Sequence, residues 1–126
     1  MIMVDSDVII WILRGNEEIK EKFKKIVMET KGFVFITPIQ ITEIYAGLRE
    51  KEKIETEGFF NSLNCISIDK KAGEMAGLFI SQYGKSHNIT IADALIGAMV
   101  KINLLKLWTM NKKHYPMFKL DEFLDI

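Results

Sequence analysis

The sequence predicts an α/β fold in which a central, mainly parallel sheet is covered on both faces by helices. Short apolar runs alternate along the chain with segments whose apolar residues recur at helical spacing, and this alternation is typical of parallel sheets. The chain has 126 residues, of which 48% are hydrophobic and 27% are charged. This is the size and composition of one globular domain, so we expect a single domain over residues 1–126.

The first half of the chain is predicted to contain two strands, each followed directly by a helix. Asp5 or Ser6 is the expected cap of the first helix, and Thr37 with Pro38 forms a capped helix start after the second strand. In chain order the elements are a strand at 2–4, a helix at 8–13, a surface helix at 17–30, a strand at 33–36, a helix containing 41–48 and a helix containing 59–63.

The second half continues the alternation of strands and helices. Asp69 and Thr90 are the expected N-caps, and Gly84 is expected to end the long helix in the C′ position. Residues 119–126 could form an edge strand or a final helical turn, so we expect four or five strands. In order the elements are a strand at 65–68, a long helix at 72–83, a helix at 91–102, a strand at 106–109 and a turn or short helix at 111–118.

Charge and cysteine content exclude several classes of protein. Seventeen Lys and Arg residues balance seventeen Asp and Glu residues, so no overall basic field indicates nucleic-acid binding, and any such binding must be local. The single cysteine, Cys65, excludes an internal disulfide and favours a reducing compartment, so we expect a cytoplasmic location. The apolar runs are too short to span a membrane, and two histidines with one cysteine disfavour a zinc site.

Four polar residues are predicted to meet at the carboxyl ends of the strands, where parallel α/β folds bind their ligands. Asp5 follows the first strand, and Glu43 lies in the second turn of the helix after the second strand. Asp93 lies in the first turn of its helix, and Asn111 follows the fourth strand. Two carboxylates about 4 Å apart repel by roughly 4 kcal/mol at an effective dielectric of about 20. Converging acids would therefore need a cation.

Oxygen ligands of this kind suit Mg²⁺ or Mn²⁺, and such an ion can support hydrolysis of a phosphodiester bond. Each acid also has a simpler role open to it. Asp5 or Asp7 could be a plain helix cap, Glu43 a surface acid and Asp93 a partner of the helix dipole. The occurrence of all of them together favours the metal site.

Four motifs resemble those of PIN-domain proteins, and more narrowly those of the VapC-type toxins of prokaryotic toxin–antitoxin pairs. They are MIMVDSDVII at 1–10, TEIYAGL at 42–48, ADALIGA at 92–98 and WTMN at 108–111. The resemblance implies a PIN-like three-layer sandwich and an endoribonuclease that depends on Mg²⁺ or Mn²⁺. It also implies a homodimer and a cognate antitoxin whose C-terminal segment occupies the groove near the site.

Carried over residue by residue, the resemblance assigns Asp5, Glu43 and Asp93 as metal-binding catalytic acids. Asn111 matches the polar residue of the family's Thr-x-Asn element and joins the catalytic set. His114 stands where many relatives carry a further acid, which leaves open whether one or two ions bind.

Three residues are candidates for supporting roles. Asp7 could partly replace the missing acid or act as a cap. His114 could donate a proton to the leaving oxygen, or could simply be a solvated histidine. Thr109 could orient a ligand through a hydrogen bond or merely end its strand.

Local basic residues would have to contact the RNA. Five lysines and no acid lie between positions 101 and 119, and of these Lys112 and Lys113 lie nearest to Asn111. Arg14 and Arg49 could contact a phosphate or an acid of the antitoxin. The lysines could equally be a solvent-facing run. Tyr115 could stack on a base, but a place in the core or an interface is more typical.

Other functions remain open from the residues alone. The chain could be a catalytically weak PIN-like module that binds RNA or a partner, or a nuclease acting on structured DNA. A Mg²⁺-binding phospho-acceptor domain of receiver type fits poorly, because Asp69 begins a helix-cap segment and Asn111 stands where a late lysine is needed.

Overall fold

Residues 1–125, which the computed structural model describes, contain four strands and six α-helices around a single sheet. The strands are β1 Ile2–Val4, β2 Val34–Ile36, β3 Asn64–Cys65 and β4 Lys106–Trp108. All pairings are parallel, and the strand order is β3-β2-β1-β4. The helices are α1 Ser6–Leu13, α2 Glu17–Glu29, α3 Pro38–Ala46, α4 Lys53–Asn61, α5 Lys70–His87 and α6 Ile91–Ile102, and short 3-10 helices occur at Glu50–Glu52, Lys112–His114 and Leu120–Glu122.

The central strand β1 takes part in both halves of the core, because successive side chains of a strand point to opposite faces of the sheet. Met3 packs on the face covered by α5 and α6. Ile2 and Val4 pack on the other face, against side chains from α1 to α4. The three layers expected from the sequence are confirmed.

The predicted helix starts are confirmed by their caps. The side chain of Asp5 accepts a hydrogen bond from the first backbone N–H of α1, and Asp69 and Thr90 each accept one from the third N–H of α5 and α6. Thr37 caps α3, with Pro38 at the first helical position. These caps place the N-termini of α1 and α3 directly after the carboxyl ends of β1 and β2.

The third strand is shorter than predicted. It covers Asn64–Cys65 rather than 65–68, and only Ile66 continues the pairing, through a 2.8 Å hydrogen bond from its N–H to the carbonyl of Ile36. Ile66 and Ile68 then pack against the core around α5 and α6. The apolar spacing that suggested a longer strand therefore reflects packing of a connecting segment.

The predicted end of the long helix at Gly84 is wrong. Helix α5 continues to His87 and ends at Asn88, which adopts the left-handed conformation with φ of 50°. Asparagine tolerates this conformation better than most residues, so no glycine is needed to end the helix.

The segment after residue 118 combines the two alternatives left open by the sequence. Leu120–Glu122 form a 3-10 turn, and Phe123 then makes a parallel bridge to Leu107 of β4. Ile126 lies outside the described residues. Within residues 1–125, no helix has both the length and the apolar character needed to cross a membrane.

Candidate active site

Four acids come together at the carboxyl end of β1, and we call them the acid cluster. Asp5 directly follows β1, Asp7 lies in the first turn of α1, Glu43 lies on α3, and Asp93 lies in the first turn of α6. The predicted meeting of side chains from three separate parts of the chain is therefore present in the structure. The roles assigned to these residues remain predictions.

Asp5 is the most buried member of the cluster, with 6% of its surface exposed. Its Oδ1 atom accepts a 2.8 Å hydrogen bond from the backbone N–H of Ser6. Its Oδ2 atom accepts two further bonds, from Thr109 Oγ1 at 2.9 Å and from the Tyr115 hydroxyl at 2.8 Å. Both oxygens of this carboxylate are thus held in fixed directions.

Asp7 holds the loop that follows β4. Its Oδ1 atom accepts from the N–H of Val8 at 2.7 Å. Its Oδ2 atom accepts from the backbone N–H of Met110 at 3.0 Å and from Asn111 Nδ2 at 2.9 Å, and Thr109 Oγ1 lies 3.3 Å away. Asp7 and Asn111 therefore hold the loop after β4 in place beside the other acids.

Glu43 is positioned by the helix that carries it. One turn earlier, the fully buried Gln40 donates from Nε2 to the carbonyl oxygen of Val4 at 3.0 Å, and its Oε1 atom accepts from the Thr37 backbone N–H at 2.9 Å. Since Val4 immediately precedes Asp5, this amide fixes α3 against the end of β1. Glu43 Oε1 then accepts a 3.1 Å bond from Ser6 Oγ.

Asp93 faces the turn that contains His114. The distance from His114 Nδ1 to Asp93 Oδ2 is 3.5 Å, and the side chain of Asp93 is 18% exposed. On its other oxygen, Oδ1, the hydroxyl of Tyr115 lies 3.4 Å away. The histidine at the expected position of a fourth acid therefore presents a ring nitrogen to the cluster in place of a carboxylate.

Burial and mutual repulsion make the cluster electrostatically unfavourable. Burial is the largest cause that raises the pKa of Asp7, Glu43 and Asp93, and the negative charge of Asp5 raises all three further. Hydrogen bonds and the charge of His114 oppose this rise at Asp93 without cancelling it. The pKa of Tyr115 is raised far above its ordinary value by burial and by the neighbouring acids, so its hydroxyl stays protonated and acts as a donor.

The chemistry of the donor set suits a hard divalent cation. Carboxylate oxygens are the ligands that Mg²⁺ and Mn²⁺ prefer, and a cation would relieve the repulsion that raises these pKa values. Within residues 1–125, no three His, Cys, Asp or Glu side chains are already arranged to hold a metal ion. Glu43 and Asp93 are turned onto nearby donors, so shared ligation requires these flexible side chains to rotate towards Asp5.

The basic residues proposed for RNA contacts occupy two different places. Arg14 and Arg49 line an open cavity of about 370 Å³ between α1, α3 and α4, and Glu43 lines the same cavity. Lys112 lies instead with its Nζ atom 5.5 Å from the centre of the Phe123 ring, lining a second cavity to which no member of the acid cluster contributes. The two arginines therefore share a cavity with a member of the cluster, whereas the cavity that Lys112 lines includes none.

Two further side chains belong to this site, and the sequence pattern alone does not reveal their roles. Ser6, a candidate helix cap, contacts Glu43 through its hydroxyl. Tyr115 is buried, as expected for a core residue, and its hydroxyl reaches Asp5. Their positions, between Asp5 and Asp7 and next to His114, are the signals that could have identified them.

Comparison with known proteins gives consistent results at the levels of family, sequence and structure. A PIN-domain family model matches residues 2–117. Ribonuclease VapC10 of Mycobacterium tuberculosis is 32% identical over 120 residues, covering 94% of this chain and 89% of that protein. Among solved structures, a toxin–antitoxin complex from Klebsiella pneumoniae matches with a TM-score of 0.81 and 18% identity, covering 99% of this chain and 97% of the other. DNA-bound VapBC from Salmonella typhimurium matches with a TM-score of 0.76 and 19% identity, covering 90% and 89% of the two chains. The two structural matches establish the fold.

Proposed function

Because the chain belongs to the PIN-domain family, with a VapC ribonuclease among its relatives, we propose that it is a metal-dependent endoribonuclease and the toxin of a toxin–antitoxin pair. The convergence of Asp5, Glu43 and Asp93 at the carboxyl end of the sheet is the observation that supports this most strongly. Acids brought together at an electrostatic cost, with raised pKa values, are typical of catalytic sites.

Asp5, Glu43 and Asp93 would hold Mg²⁺ or Mn²⁺ in this proposal. When bound, such an ion lowers the pKa of a coordinated water and stabilises negative charge on the leaving oxygen. Thr109 and Tyr115 keep the Asp5 carboxylate in one orientation. Glu43 accepts its bond from Ser6 on Oε1, so its other oxygen, Oε2, is the atom we assign to accept a proton from the attacking water.

His114 supports one firmly held ion rather than two. It lies 3.5 Å from Asp93, where the family resemblance would place a fourth acid, and a histidine supplies no negative charge to hold a second cation. The presence of a histidine in place of a fourth acid also supports a second candidate function, namely a PIN-like module that binds RNA or a partner with little catalysis.

We further propose that the cavity beside Glu43 receives the phosphates of RNA or an acidic side chain of the antitoxin. Arg14 and Arg49 line it, and arginine binds phosphates and carboxylates in a two-pronged geometry. A homodimer and a cytoplasmic location complete the proposal. The exposed and unpaired Cys65 fits a reducing compartment.

Cleavage of RNA by the purified protein tests the catalytic proposal. We expect activity with Mg²⁺ or Mn²⁺, loss of activity in EDTA, and loss in Asp93→Asn with an unchanged circular-dichroism spectrum. Asp69→Asn is the matched control, because Asp69 caps α5 through the N–H of Ala72 and asparagine caps helices equally well. Full activity in EDTA or in Asp93→Asn would refute the proposal. RNA binding by wild-type protein without metal-dependent cleavage would support the binding module.

Expression in bacteria tests the proposed partner. We expect growth arrest when the chain is produced, relief on co-expression of the small protein encoded beside it, and no arrest with Asp93→Asn. Growth that is equally impaired by wild type and Asp93→Asn would contradict a toxin that acts through catalysis. Assays on single-stranded RNA against flap-structured DNA then separate the ribonuclease from a nuclease acting on DNA.

A further inference from the structure

We propose that Tyr115 is a positioning residue of this site, and that its hydroxyl sets the orientation of Asp5 towards a divalent cation. The inference rests on the proposed function, since it assigns a task only if Asp5 binds an ion. It assigns no contact between Tyr115 and the reacting atoms.

The hydroxyl of Tyr115 lies between two acids that are far apart in the sequence. It donates to Asp5 Oδ2 at 2.8 Å, and Asp93 Oδ1 lies 3.4 Å from the same oxygen. Among residues 1–125, Tyr115 is the one side chain within hydrogen-bond distance of both acids. It therefore links the end of β1 to the first turn of α6 through a single atom.

The ring that carries this hydroxyl has little freedom to move. Tyr115 is 1% exposed, and its ring stacks on Phe118 with 5.5 Å between ring centres. Its backbone N–H donates to the carbonyl of Lys112 at 3.0 Å, which closes the short turn that precedes it. Because its ring cannot move, the Tyr115 hydroxyl donates from one position. It can therefore fix the orientation of the carboxylate that accepts the hydrogen bond.

This arrangement decides which oxygen of Asp5 is free. A carboxylate oxygen has two lone pairs, and both of those on Oδ2 are engaged by Tyr115 and Thr109. On Oδ1 the backbone N–H of Ser6 uses one lone pair. The remaining lone pair of Oδ1 is therefore left to bind a cation. The family resemblance places a fourth acid at position 114. In this chain the neighbouring Tyr115 supplies a hydrogen-bond donor to Asp5 instead.

Tyr115→Phe tests this role, because it removes the hydroxyl and keeps the ring. The readout is Mn²⁺ affinity, measured from the electron paramagnetic resonance signal of free Mn²⁺ during titration. We expect roughly 10- to 100-fold weaker binding, the range seen when a partner of a metal ligand is lost. The kcat for RNA cleavage should fall by a similar factor while KM stays near its wild-type value.

Tyr83→Phe is the matched control. Tyr83 is a partly buried tyrosine of α5 whose ring packs against the core and lies 5.7 Å from the ring of His87. Loss of its hydroxyl should leave both Mn²⁺ affinity and kcat unchanged. An equal loss in Tyr83→Phe and Tyr115→Phe would overturn the assignment, because it would point to a general effect on the core.

Three other outcomes would also overturn the assignment, and they are distinguishable. If wild type binds Mn²⁺ and cuts RNA but Tyr115→Phe matches it in affinity and kcat, the positioning role alone is wrong. If wild type neither binds Mn²⁺ nor cuts RNA, the proposed function fails and the inference fails with it. If Tyr115→Phe does not fold, the hydroxyl serves stability instead of positioning.

Discussion

Glu43 and Glu122 are two glutamates whose surroundings shift their pKa values in opposite directions. At Glu43, burial raises the pKa above its ordinary value of 4.5, and the other acids of the cluster raise it further. At Glu122, burial also acts to raise the pKa, but hydrogen bonds from Lys101 and from the backbone of Lys119, together with their charges, lower it. One glutamate is surrounded by like charge and the other by opposite charge.

The charges around these two glutamates indicate different roles. Glu43 is placed as expected of a residue that binds an ion, and Glu122 is placed as expected of a residue that stabilises the fold. Lys101 Nζ lies 2.8 Å from Glu122 and 5.3 Å from the centre of the Phe118 ring, so this lysine holds the terminal segment against α6. No such cation balances Glu43 within residues 1–125. An acid that the fold leaves unpaired among other acids is the one expected to bind an ion.

Substitution of Glu43 should have the largest effect on catalysis. We expect Glu43→Gln to lower RNA cleavage by roughly 100- to 10,000-fold, because it removes both a proposed metal ligand and the proton acceptor. Glu122→Gln is the control and should keep wild-type activity. Initial rates with Mn²⁺ measure both. If Glu43→Gln and Glu122→Gln lost similar amounts of activity, the proposed catalytic role of Glu43 would be contradicted.

The Glu43→Gln substitution should also stabilise the protein when no divalent ion is present. Because the pKa of Glu43 is raised on folding, its protonated form stabilises the folded state below about pH 4.5, and this contribution is lost as pH rises through the folded pKa. Glu43→Gln should therefore have a higher Tm than wild type at about pH 7.5, with the gain fading towards about pH 4. A lower Tm at neutral pH would show that the carboxylate is favourably placed.

The effect of Glu122→Gln on stability should depend on pH in the opposite sense. Its lowered pKa stabilises the folded state above the unfolded value near 4.5, and the effect is lost as pH falls through the folded pKa. The side chains of Lys101 and Glu122 are 28% and 25% exposed, so we expect a loss of at most about 1 kcal/mol at neutral pH. Urea unfolding at neutral and acidic pH measures the free energy of unfolding of both proteins. A loss of stability in Glu122→Gln that persists at low pH would contradict the prediction.

The smallest predicted effect concerns the lysines after β4. Lys112 and Lys113 are both exposed, but the Nζ atom of Lys112 lies over the Phe123 ring. We expect Lys113→Ala to weaken RNA binding a few-fold and to reduce the slope of log affinity against log salt by about 1. Lys112→Ala should change binding less, since its ammonium group already has a partner. Fluorescence anisotropy over a salt series measures both, and a larger effect at Lys112 would reverse this ranking.

The sequence was sufficient to predict most of the architecture because its caps and apolar runs act locally. Thr37 with Pro38 starts α3, for example, whatever the rest of the chain does. The end of α5 at Asn88 was not predictable in this way, since glycine and asparagine can both adopt the required backbone conformation.

The site was predictable to the level of its acids and no further. Asp5, Glu43 and Asp93 follow from their places after strands and at helix starts. The bond from Asn111 to Asp7 and the bond from Tyr115 to Asp5 join residues 104 and 110 positions apart. Contacts of such separation depend on side-chain directions that only the folded chain specifies.

Calorimetric titration of Mn²⁺ into the wild-type protein and Asp93→Asn, at about pH 7.5, tests most directly whether the acid cluster exists to bind a cation. We predict saturable binding of one ion per chain in the wild type and at least a 10-fold loss of affinity in the variant. Absence of binding to the wild type, or equal binding to both proteins, would contradict the assignment of these acids as a metal site.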